Sequence, residues 1–158
     1  MTTSLTFQHS APLLTPQQVT QVETSLGFPL PSQFKAFYLR HNGGVPSKAY
    51  VFDQALEDFL EISVFSSLWH KLPHRDTLEA DYQDLTGRGV LPAGYLPFAT
   101  DWGGNLFCLQ LATHQVVFIL MDLGEFTEDC VSPLARSFDA FLDALVSAAE
   151  ATEQDEKQ

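Results

Sequence analysis

Apolar positions recur along this chain with two different periods, and the changes of period mark out its elements. In "TPQQVTQVETSLG", 15–27, Val19, Val22 and Leu26 fall at i, i+3 and i+7, one stripe of a helix. Thr15 suits the N-cap, Pro16 the first helical position, and Gln18 completes a capping box. Gly27 is placed for a left-handed C-terminal cap. The stretch "LPSQFKAFYLRHNGG", 30–44, predicts a second helix that Pro31 starts and Asn42-Gly43-Gly44 stops, since all three residues tolerate positive φ. Leu30, Phe34, Phe37, Tyr38 and His41 share one side of it, and its aromatics read as core. A third helix is expected over 76–86, capped by Asp76 with Glu79 completing the box; Leu78, Tyr82 and Leu85 form its stripe and Gly87 ends it. A fourth, over 137–151, starts at Ser137 and carries Phe138, Phe141, Leu142, Leu145 and Ala149.

Elsewhere the period is two or the run is wholly apolar, and strands follow. "AYVFD", 49–53, is a short one. In "FLEISVFSSL", 59–68, Leu60, Ile62 and Val64 point one way while Glu61 and Ser63 point the other. Residues 96–100, 105–111 and 116–122 are rich in β-branched and aromatic side chains. Their short connections require antiparallel pairing. Between the first two lies "DWGGN", where Gly103 and Gly104 supply the dihedrals of a turn and Asp101 and Asn105 bond its backbone. Alternation places Phe98, Leu106 and Cys108 toward the core, with Phe107 and Leu109 on the opposite side. Helices segregated from a meander of strands, without a βαβ repeat, predict an α+β fold: a single domain with helices packed against a mostly antiparallel sheet.

Length agrees with one domain, since 158 residues is near the common size of about 100–150. Thirteen Phe in a chain that is 45% apolar furnish a core that needs no metal or disulfide. Cys108 reads as a small core residue; pairing with Cys130 is left open. Residues 1–13 read as an N-terminal extension, 14–149 as the domain, and 150–158 as an acidic tail with nothing to bury, expected to be disordered. The first residues lack the basic and apolar regions of a signal peptide. No apolar run approaches the roughly 18 residues of a membrane span. A cytoplasmic protein without membrane contact is expected.

Charge narrows the partners. Eight Lys and Arg against 20 Asp and Glu give a net charge of −12, which repels nucleic acid, and the basic residues are scattered. Acids cluster instead: Asp53, Glu57, Asp58 and Glu61; Asp76, Glu79, Asp81 and Asp84; Asp122, Glu125, Glu128 and Asp129. They form either solvated loops or a negative face for a basic protein, where charge speeds association.

Catalytic signals are weak. There is no GxSxG, and His9, His41, His70, His74 and His114 stand in no recognisable nucleophile context. His70 and His74 have the spacing of a helical metal pair, but Pro73 interrupts the helix and no third ligand is near. Gly43-Gly44 follow a helix and Gly103-Gly104 precede a strand, so neither cradles phosphate. No catalytic residue, cofactor or metal is expected. The candidate partner-binding residues are Asp53, Glu57, Asp58, Glu61, Trp69, Asp101 and Trp102. Trp102 is an interface anchor if exposed and core if buried.

"LTPQQVTQVETSLGFPLPSQFKAFYLRHNGGVP", 14–46, resembles the opening signature of the SUKH superfamily, the Smi/Knr-like domains. Leu26-Gly27, Leu30-Pro31, Phe34, Phe37 and Asn42-Gly43-Gly44 carry that match. "LPFATDWGGNLFCLQL" resembles the second signature through Phe98, Asp101, Gly104, Asn105 and Phe107, and "VVFILMD" and "SFDAFLDAL" also fit. The resemblance covers about 14–146 and implies an α+β domain. It also implies a function: bacterial members neutralise protein toxins, often nucleases, passed between competing cells, and fungal members are interaction modules that regulate cell-wall synthesis. It brings no catalytic residues. The expectation is a cytosolic immunity protein for a toxin with a basic surface, the alternative a general interaction module. The stretch 54–88, with "FSSLWHKLPHRD", matches least and is where partner choice is expected.

Overall fold

A computed structural model describes residues 5–122 and 124–156. The first four residues of the expected extension and the last two of the expected tail lie outside them. Helix α1, Pro16–Leu26, forms as its signals require: Thr15 Oγ1 accepts from Gln18 N, Gln18 answers through Oε1, and Gly27 closes the helix at φ +89°. α2, Ser32–Arg40, starts after Pro31. α3, Leu78–Gly87, is capped by Thr77, whose hydroxyl accepts from Ala80 N, and not by Asp76.

The strands make three antiparallel groups. β1, Phe7–Gln8, pairs with β2, Val45–Pro46; β3, Tyr50–Asp53, pairs with β4, Asp58–Glu61. The main sheet runs β5 (Val64–Phe65), β6 (Tyr95–Thr100), β7 (Leu106–Gln110), β8 (Val116–Ile119) and β9 (Val131–Ala135), in that order and antiparallel throughout. With helices on this sheet, the domain is α+β.

The continuous strand expected over 59–68 is two strands in two sheets. Ile62 N still bonds Ala49 O, but Ser63 N bonds Thr100 O, so the chain changes partner between adjacent residues. The last expected helix is also broken. α4, Phe138–Ala144, is capped by Ser137; α5, Ala148–Glu156, follows a gap in which Val146 and Tyr50 exchange both backbone hydrogen bonds, at 2.8 and 3.0 Å. Ser147 and Glu150 then form a new capping box, and the residues expected as a disordered tail are helical to Glu156. Ala149, expected on the apolar stripe, is exposed, and Ala151 is buried.

Both faces of the sheet are covered. Phe98, Phe107, Leu109 and Phe118 pack with Val19, Val22, Phe34, Phe37, Phe138 and Phe141 from the helices. Leu106, Cys108, Val117 and Ile119 pack on the other face with Leu91 and Cys130. Phe98 therefore sides with Phe107 and Leu109, not with Leu106 and Cys108. The register of β6 on β7 shifts between Pro97 and Ala99, and that irregularity reverses the expected alternation. Cys108 and Cys130 are both buried and free, and burial pushes the Cys108 thiol far above its usual range.

The Asn42-Gly43-Gly44 stop serves packing more than conformation. Asn42 is buried and does not adopt positive φ. Its Nδ2 donates to Pro12 O and Leu68 O at 2.9 and 3.0 Å, and its Oδ1 accepts from Leu68 N at 2.8 Å. Gly43 and Gly44 do have φ of +75° and +113°, and at Gly44 a Cβ would lie 2.6 Å from Gln8 O.

Candidate functional site

The β6–β7 connection is a self-bonded turn. Asp101 Oδ1 accepts from Gly103 N at 2.9 Å and Asn105 N at 2.8 Å, its Oδ2 accepts from Asn105 Nδ2, and its own N–H donates to Asn105 O. Asn105 Oδ1 in turn accepts from Met121 N at 2.9 Å, tying the turn to the residues after β8. Gly104 alone of the two glycines adopts positive φ, at +89°. Asp101 is thus committed to the turn. Trp102 projects from it with 73% of its surface exposed. A rigid mount under an exposed indole suits binding, because little entropy remains to be lost on contact.

The acidic residues of 53–61 do not form one surface. Asp53 is fully buried, and its Oδ1 accepts from Ala55 N and from Ser132 Oγ at 2.8 Å. It pins the β3–β4 hairpin to β9 and is not available to a partner. Glu57, Asp58 and Glu61 are exposed. The Asp53–Ser132 bond holds this hairpin beside the start of β9, two residues past the short 3-10 turn Glu128–Cys130.

Trp69 lies elsewhere, 42% exposed at φ +64°, its backbone N–H donating to Glu79 Oε2. The Asn42 amide joins Pro12 and Leu68, and Leu13, next to Pro12 in the chain, is 63% exposed. Exposure at Leu13 carried no sequence signal. His70 and His74 sit on a loop, with His74 at φ +61°, and no group of metal-ligating side chains occurs among the described residues.

Burial first, and then Asp76 nearby, raises the Asp81 carboxyl to about 6. The folded chain therefore keeps a proton that the unfolded chain releases between about pH 4 and 6, so stability falls as pH rises through that window. Asp81→Asn should leave stability unchanged below this window. At pH 7 it should add on the order of 1 kcal/mol, reduced by solvent screening of a half-buried group. Thermal melts at both ends of the window check this.

Among the described residues, no helix is long and apolar enough to cross a membrane. No curated protein matches the chain significantly. A sequence profile described as the SMI1 / KNR4 family (SUKH-1) matches residues 13–144, most of the chain and all of the elements from α1 through α4, and the chain belongs to this family.

Proposed function

We propose that this chain is a cytosolic immunity protein that binds a protein toxin of an intercellular competition system and blocks it without catalysis. The observation that carries the reading is Trp102, exposed on a turn whose polar groups are already satisfied by one another. Membership of a family with toxin-neutralising members supports it, as does the acidic balance of −12. The partner surface is basic, and Glu57, Asp58 and Glu61 contribute to steering it rather than to anchoring it.

Co-expression with a toxin encoded beside this protein tests the proposal. The expected result is rescue of growth and recovery of a stable complex; neither rescue nor complex would overturn it. Recovery of endogenous cellular proteins alone would instead favour a general interaction module. Within the complex, Trp102→Ala should weaken binding by about 2–4 kcal/mol, roughly 30- to 1000-fold. The melting temperature of the free protein should not move. Titration calorimetry and a thermal melt separate the two quantities.

A further inference from the structure

The second face of the sheet carries a groove of about 620 Å³ between the connection that follows α3 and the connection that leads to β9. Val90, Leu91, Pro92, Gly124, Glu125 and Phe126 line it. Its floor belongs to the second core: Leu91 is buried with Cys108, Ile119 and Cys130, and the Phe126 ring lies 5.5 Å from that of Tyr95. Its mouth is open, and Val90 is exposed there. Glu125 stands in that lining, and the connection that carries it is acidic. Asp122, Glu125, Glu128 and Asp129 are all exposed, and none is in an ion pair among the described residues. Arg88, which precedes the lining residue Gly89 in the chain, is already held by Asp84 at 2.9 Å. The Asn105–Met121 bond links the acidic connection to the turn that carries Trp102, so groove and indole adjoin the same stretch of chain.

We propose that this groove receives a segment of the partner protein in which an apolar side chain is flanked by Lys or Arg. The inference rests on the toxin-binding reading and names the chemistry the toxin presents. An apolar floor rewards burial of a Leu or Phe side chain. The acidic rim selects the residues on either side of it, because like charges opposed across an interface are penalised. A second copy of this chain, with its own net charge of −12, is disfavoured on the same ground.

The test uses the full chain, isotope-labelled, titrated with the synthetic peptide KRFLRK and followed by NMR. Two control peptides, EDFLDE and KRGSRK, reverse the charge and remove the apolar pair in turn. The expected result is shifts of the Val90, Leu91, Gly124 and Phe126 amides, with affinity about tenfold above either control and falling as salt is added. Val90→Lys, at an exposed position, should abolish these shifts while leaving the thermal melt unchanged. Equal binding of EDFLDE or KRGSRK, shifts confined to other surfaces, or binding undiminished by Val90→Lys would overturn the proposal. So would sedimentation showing a dimer that Val90→Lys disperses. The arms separate the two readings. Toxin binding unaffected by Val90→Lys removes the groove and leaves the immunity role; KRFLRK binding without toxin rescue removes the immunity role and leaves the groove.

Discussion

Asn42→Ala should lower folding stability by about 3 kcal/mol, since a buried donor left unsatisfied costs roughly 1–3 kcal/mol and each further lost hydrogen bond about 1 kcal/mol. Its side chain meets three backbone groups: the buried carbonyl and N–H of Leu68 and the partly buried carbonyl of Pro12. Truncation strands the buried Leu68 N–H and removes the two bonds to carbonyls, of which that of Leu68 keeps only its contact with His70 N. Asn42→Asp is the sharper variant. It preserves an acceptor for Leu68 N but offers no donor to the two carbonyls, and it places a carboxylate against them. If Asn42 mattered only as a helix stop, Asp would serve nearly as well. Urea unfolding should show both variants strongly destabilised, and a loss under about 1 kcal/mol for Asn42→Asp would contradict the bridging role.

Phe98→Ala should cost a similar amount, about 3–5 kcal/mol, as expected for a large buried ring replaced by a methyl. Phe98 is fully buried and meets four other rings, those of Phe34, Phe65, Phe138 and Phe141, at centroid separations of 5.2–6.0 Å. The ring packs α2 and α4 on the sheet and meets Phe65 of the neighbouring strand β5, so the cavity cannot be closed by moving one element. Phe98→Leu keeps most of the volume and should cost less than half as much. Denaturant midpoints for the pair give the comparison, and equal losses would mean that ring geometry rather than filled volume matters there.

What the sequence disclosed was local. Thr15, Gln18 and Gly27 announce α1 because caps act within one helical turn. The Asp101–Asn105 turn was readable for the same reason: its donors and acceptors lie within five residues. The misreadings came from partners distant in the chain. Leu145 and Val146 continue a helical pattern, and only Tyr50 breaks it. Asp53 looks like a surface acid until Ser132, 79 residues away, is placed against it. The groove at Val90 depends on two connections crossing one sheet face, and neither carries a pattern by itself.

The double covering of the sheet has a consequence for how its strands find their partners. Along β7, Leu106, Phe107, Cys108 and Leu109 are all buried, and along β8 Val116 to Ile119 are as well. Sliding either strand by one residue would exchange its two faces without exposing a single apolar side chain, so hydrophobicity is blind to the error. The phase of the sheet must be written elsewhere. Asp101 and Asn105 write it, the first by fixing how many residues separate β6 from β7, the second by holding Met121, two residues past the end of β8. The same few atoms that mount Trp102 for a partner thus act as the punctuation by which the sheet is read in frame.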